Sequence, residues 1–210
     1  MIISLNEIET TVLKAARGAG MEWGLAEEAA QAAGWLARSA LSWEAPLLAL
    51  FESAAWRTPL RLDGNHLRPR SADAWLCPVR AGACLSDLGE SAPIVIERVL
   101  HPLLLLPFAA RREAALDLEW SGVTVRLDAG TAIIEPTDAS GLDAARAHRV
   151  TLTRSTLARP RQVLPPRRLG GVEVEEMAWA RLQEFVARTY VPASAKSRLG
   201  GAGPATDDND

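Results

Sequence analysis

Three histidines, two cysteines and a run of seven arginines are the side chains of this 210-residue chain best suited to chemistry. His66, His101 and His148 stand far apart, and no His-Glu-x-x-His or paired-cysteine spacing joins them, so no metal centre is expected. Cys77 and Cys84 read as small, wholly or partly buried side chains rather than a nucleophile or a redox pair. No Gly-x-Ser-x-Gly elbow occurs. Glu27-Glu28 and Glu175-Glu176 fall near predicted helix starts, where carboxylates complement the helix dipole more readily than they catalyse. The stretch from Gly18 to Gly24 has the glycines of a dinucleotide loop, but the third comes one residue late and a helix pattern precedes it. It reads as an interhelical turn. Gly200-Gly201-Ala202-Gly203 lacks the Lys-Ser/Thr of a phosphate-binding loop, and no cofactor is expected.

The arginines are segregated. Between Ala144 and Val172 lie Arg146, Arg149, Arg154, Arg159, Arg161, Arg167 and Arg168, with no aspartate or glutamate among them. Planar guanidinium forks suit carboxylate and phosphate, so this strip is the candidate surface for a small organic anion or an acidic protein partner. A solvated strand face and linker is the plainer reading. Nucleic acid is disfavoured, because the strip carries no aromatic residue for base stacking and the chain has a net charge of −3.

Composition sets the frame for these side chains. With 48% hydrophobic and 23% charged residues the chain can bury a core and is not a disordered sequence. No apolar run is long enough to span a membrane; Val99 to Ala110 is short and holds His101 and two prolines. Met1-Ile2-Ile3-Ser4 lacks the basic start of a signal peptide, and two cysteines make no disulfide framework, so the expected compartment is a reducing cytoplasm. Arginine outnumbers lysine twenty-one to two, which fits a GC-rich bacterial genome and tempers any chemical reading of a single arginine.

The elements that must position these residues form an α+β chain. Ser4-Leu5-Asn6-Glu7 has the capping-box spacing, with Ile3 placed to staple onto Ile8 and with Ile8, Val12 and Ala16 on one face. Gly18 and Gly20 should stop this helix. A second follows with a stripe of Leu25, Ala29, Ala32, Ala33 and Leu36, and a third starts at Ser42 as cap, with Pro46 in its first turn. Asp63-Gly64-Asn65 marks a short hairpin, and residues 71–92 read as loop with one short helix. Alternation across Ser121-Gly122 sets Trp120 opposite Val123, Leu118 opposite Val125, Leu116 opposite Leu127, and Asp117 opposite Arg126 on a wet face. Ile94–Val99, Leu103–Leu106, Thr131–Ile134 and Val150–Arg154 complete an expected antiparallel sheet of five to six strands. A connection from Pro160 to Gly171 leads to a C-terminal helix carrying Val174, Ala178, Leu182 and Phe185 on one face. The expected organisation is one domain over 1–190, helical at 4–56, mainly β at 58–156 and helical at 173–190. A flexible tail follows over 191–210.

Ser4-Leu5-Asn6-Glu7-Ile8-Glu9, the stretch Lys14 to Gly20, Trp23-Gly24-Leu25-Ala26-Glu27-Glu28-Ala29 and Trp35-Leu36 resemble a bacterial, mainly proteobacterial family of unknown function. The ending, Thr189-Tyr190-Val191-Pro192-Ala193-Ser194 with Ser197-Arg198, Gly201-Ala202-Gly203 and Asp208-Asn209-Asp210, is similar to it as well. The resemblance implies no activity, cofactor or catalytic residue. It does imply a patterned tail, in which Tyr190, Ser194, Ser197 and Arg198 are the expected interaction residues. Seven tryptophans beside one tyrosine should mostly pack the core, with a few left to anchor an interface. The favoured function is therefore a cytoplasmic, non-catalytic accessory protein or subunit in bacterial small-molecule metabolism, with a protein partner or self-association. The alternative is an enzyme that clamps a small organic anion with arginines beside a histidine or glutamate.

Overall fold

A computed structural model describes residues 1–88, 93–112, 114–128, 131–135, 141–155 and 171–190. Its first helix, α1 (Leu5–Gly18), starts as the capping box requires, with Ser4 Oγ accepting from the Glu7 amide at 3.2 Å and with Ile8, Val12 and Ala16 buried. Helix α2 (Trp23–Arg38) buries Ala29, Ala32, Ala33 and Leu36 as expected and leaves Leu25 half-buried. These small side chains let α2 lie close along α1. Gly18 does not break α1 but closes it, and Gly20, at φ +94°, makes the turn.

Helix α3 (Glu44–Ser53) corrects the expected cap. Trp43, not Ser42, occupies the N-cap position, and no side chain caps the helix; Trp43 instead buries its whole indole, at 1% exposure. Burial of a large ring outweighs a single cap of about 1 kcal/mol. Helix α4 (Pro78–Asp87) is the short helix expected in residues 71–92, with Cys77 as its cap.

Strands β2 (Leu60–Asp63) and β3 (His66–Pro69) form the expected hairpin; β1 (Ile2–Ile3) lies apart and pairs with β9 (Val172–Glu173). The main sheet adds β4 (Ile94–Leu100), β5 (Leu116–Trp120), β6 (Val123–Asp128), β7 (Thr131–Glu135) and β8 (Arg146–Arg154), in the order β2-β3-β4-β8-β5-β6-β7. The register across Ser121-Gly122 is the expected one at every pair, and both turn residues have positive φ, +46° and +81°, as a two-residue hairpin turn demands.

Two features of the sheet differ from expectation. It holds seven strands among the described residues, and it is mixed, because β3 joins β4 in parallel through His66–Val95 and Leu67–Ile96. Leu103–Leu106 is not a strand: Pro102–Leu105 is a 3₁₀ turn that runs into helix α5 (Leu106–Ala110). Wholly apolar runs carry no period to tell strand from helix, and the prolines at 102 and 107 each occupy a first helical turn, where their missing N–H costs nothing. The last helix, α6 (Glu176–Ala187), buries Ala178, Leu182 and Phe185 against the core but starts later than the expected 173. Val174, expected on its face, is buried just before it, with its amide donating to the Met1 carbonyl beside the β1–β9 pair.

The face expected to be wet is only partly so. Arg126 is 5% exposed, with Nε donating to Asp117 Oδ1 and to Ser155 Oγ, each at 3.0 Å. A guanidinium withdrawn from water in this way requires those acceptors.

Candidate functional site

Strand β4 begins with Ile94 and Ile96 buried, and strict alternation would send Arg98 into the core. Arg98 escapes by adopting φ +53°, and the next buried residue is Val99. The partner strand slips at the same place: Val150 and Ala147 are buried, while His148 and Arg149 between them are exposed. The ladder pairs Glu97 with Arg149 and Val99 with Ala147, so Arg98 and His148 meet at the break.

This break is held from the side by the segment before α4. The Leu76 amide donates to the Arg98 carbonyl at 2.7 Å, and the Leu100 amide donates to the Leu76 carbonyl at 3.1 Å. Arg98 reaches back, its Nε donating to the Ala74 carbonyl at 2.9 Å and its Nη2 to the Asp73 carbonyl at 3.1 Å. These four bonds seat Trp75 half-buried at the break. The Arg98 guanidinium lies 4.6 Å from the Trp75 ring centre, the Arg146 guanidinium 5.1 Å from it, and the His148 ring 5.2 Å away, tilted by 56°.

Cation–aromatic contacts of this kind contribute about 0.5–1 kcal/mol each and fix the plane of the guanidinium. An arginine stacked by its face keeps its in-plane N–H donors for other acceptors. Arg98 commits Nε and one Nη2 donor to the Ala74 and Asp73 carbonyls, whereas the Arg146 guanidinium makes no hydrogen bond among the described residues and is the one free to meet a carboxylate or phosphate. Neither Arg98 nor Arg146 forms an ion pair with a carboxylate among the described residues. Most other arginines in ion pairs are tied to helices or hairpins: Arg111 to Glu28, Arg181 to Glu52 and Glu184, and Arg68 to Asp63. His101, at φ +40°, closes the group; its amide donates to the Ala145 carbonyl, and burial, reinforced by the Arg146 charge, lowers its pKa below the ordinary 6.5.

The structure therefore brings together Arg146, one residue of the arginine strip, with two of the three histidines. Arg149 stands next along β8 but faces a shallow depression of about 310 Å³ shared with Glu119, Thr124 and Thr151. Arg154 is exposed at the far end of β8. Arg159, Arg161, Arg167 and Arg168 lie outside the described residues, as do Ser194, Ser197 and Arg198; Tyr190 is exposed after α6. The third histidine, His66, makes a 2.9 Å contact through Nδ1 with Glu97 Oε1, and Arg149 stands opposite that glutamate on β8.

Trp75 and Arg98 are the residues that linear reading missed. Arg98 left a signal and Trp75 none: Arg98 follows Ile94-x-Ile96, and His148 precedes Val150-x-Leu152, each a polar side chain in a core phase. Such a violation on neighbouring strands marks a register break.

Cys77 is a buried free thiol and Cys84 a half-buried one. Cys77 Sγ accepts from the Arg80 amide at 3.5 Å, and burial pushes its thiol up to about 11 despite that bond. Cys84 is half-buried, and burial with the nearby Asp87 carboxylate raises its pKa too. Among the described residues no three His, Cys, Asp or Glu side chains gather as a metal site would require, and no helix is long and apolar enough to cross a membrane.

In class this is an α+β protein whose helical layer precedes a mixed sheet and whose cationic side chains meet on an aromatic ring at the surface of that sheet. A model for a family of unknown function, DUF3726, matches residues 3–75. The match covers α1, α2, α3 and the first hairpin and ends on Trp75; the ending that resembles such a family lies outside it. No curated protein and no solved structure matches the chain.

Proposed function

We propose that this chain is a bacterial, cytoplasmic, non-catalytic accessory protein or subunit in small-molecule metabolism, and that it binds an anionic group at Trp75, Arg98, Arg146 and His148. The observation that carries this reading is the pair of guanidinium groups stacked on one tryptophan with no carboxylate partner among the described residues. Its open setting favours binding over catalysis. Arg146 and His148 are exposed, whereas an enzyme acting on a small anion needs walls that exclude water and fix the reacting atoms. The arginine-rich, lysine-poor composition supports the bacterial assignment.

One observation favours an enzyme instead. Glu97 orients His66, as a carboxylate orients a general base, and Arg149 stands across the ladder where it could hold a substrate carboxylate. Equilibrium dialysis against a panel of carboxylates and phosphates, with mass spectrometry of the dialysate, decides between the two. Retention of an anion unchanged, lost on Arg98→Gln with Arg146→Gln, supports the accessory reading. Conversion of any panel member, lost on His66→Gln, overturns it.

A further inference from the structure

Resting on that reading, we infer that the anion is an acidic segment of a partner protein, bound as an extended peptide across β8, and not a free small molecule. The first argument is the shape of the charge. Arg146, His148 and Arg149 are exposed along one strand, so the cations extend over about 10 Å at 3.3–3.4 Å per residue. Side chains on one face of an extended peptide recur about every 7 Å, so two or three successive carboxylates on that face span the row from Arg146 to Arg149. A small anion at the same surface would touch one end of this row.

Solvation supplies the second argument. The row is open to water, where a single ion pair contributes at most about 1 kcal/mol, so useful affinity requires several contacts made together. The paired slip that exposes both His148 and Arg149 doubles the polar residues available on one side of β8. Trp75, half-buried under the guanidinium groups, gives apolar area beside the charge, as the centre of a protein interface does.

The flanking acids narrow the choice among polyanions. Asp73 and Asp143 are exposed near the row, Glu97 and Glu119 flank Arg149 on the neighbouring strands, and the chain carries a net charge of −3. A nucleic-acid backbone with a charge on every unit would meet these acids. A peptide can place a neutral or basic residue against them.

The experiment is calorimetric titration of the full chain with four probes: N-acetyl hexaglutamate amide, tricarballylate, inorganic phosphate and a thymidylate oligonucleotide. Hexaglutamate should bind at least about tenfold more tightly than either small anion, with an affinity that falls as salt rises. Arg146→Gln and Arg149→Gln should each weaken it at least about threefold, and Arg61→Gln, on the outer strand β2, should leave it unchanged. The Arg146 side chain makes no hydrogen bond among the described residues, so its replacement should leave the fold intact, which circular dichroism verifies. Equal affinity for tricarballylate or phosphate overturns the peptide assignment and leaves the anion-binding reading standing. Tighter binding of the oligonucleotide overturns it in favour of nucleic acid. No binding of any probe overturns both.

Discussion

Three glycines give the same substitution three different outcomes, and the contrast tests how the helical layer is assembled. A Cβ added at Gly18 would overlap the carbonyl oxygen of Phe185 and lie 2.7 Å from its carbonyl carbon. Both atoms are main chain in α6, so no rotamer relieves the contact; α1 and α6 must separate by more than an ångström. Gly→Ala normally favours a helix by up to about 1 kcal/mol, and less at the last residue, whereas overpacking costs about 1–3 kcal/mol. Gly18→Ala should therefore destabilise the protein by about 2 kcal/mol, or roughly 4–8 °C in Tm at this chain length. At Gly34 the added Cβ meets only the side chain of Glu9, which can swing towards solvent, and the change should stay within about 1 kcal/mol of neutral. At Gly24 nothing lies within 4 Å, so alanine should stabilise by up to about 0.5 kcal/mol. Urea and thermal melts of the three variants supply the order. If Gly18→Ala proves as stable as Gly24→Ala, the close approach of α1 to α6 is wrong.

Other expectations follow from buried polar groups. Asp117→Asn removes the charge facing the 5%-exposed Arg126 and should cost about 2 kcal/mol in urea denaturation, with Ser155 retaining part of the contact; a neutral result contradicts the burial of that pair. Cys77 holds its proton to about pH 11 in the fold but only to about 9 when unfolded. Its contribution is therefore intact below pH 9 and is lost as pH rises from 9 towards 11, by about 3 kcal/mol in full; Cys77→Ala should flatten that alkaline slope. His101 titrates below 6.5 in the fold, so the unfolded chain binds the extra proton between that lowered pKa and 6.5. Stability should fall as pH drops through this window, and Arg146→Gln, which removes the repelling charge, should lessen the fall.

Local grammar made much of the fold legible. The capping box at Ser4 and the period-2 pattern on either side of Ser121-Gly122 each fix a backbone by short-range physics, and both are realised residue by residue. The run from Pro102 to Ala110 gave no such guidance, since every side chain in it is buried whichever backbone it takes. The parallel join of β3 to β4 was also beyond reach, because it depends on distant residues and no turn between them encodes it. The candidate site was half legible. Arg146 stood out within an acid-free strip, but Trp75 and Arg98 come to it from elsewhere in the chain. What marks Arg98 is a broken rule, a charge in a core phase, which becomes informative once the neighbouring strand is known to break it too, whereas nothing in the linear pattern marks Trp75.

The central claim is that the stacked arginines at Trp75 receive an anion. Its most direct test is a ¹H–¹⁵N correlation spectrum, in which Trp75→Phe identifies one of the seven indole signals and hexaglutamate is then titrated into the unaltered chain. The account predicts that the Trp75 indole and the amides of residues 98, 101, 146 and 148 shift together, and that Arg146→Gln diminishes the shifts. Saturable shifts centred elsewhere, with the Trp75 signal unmoved, would contradict it.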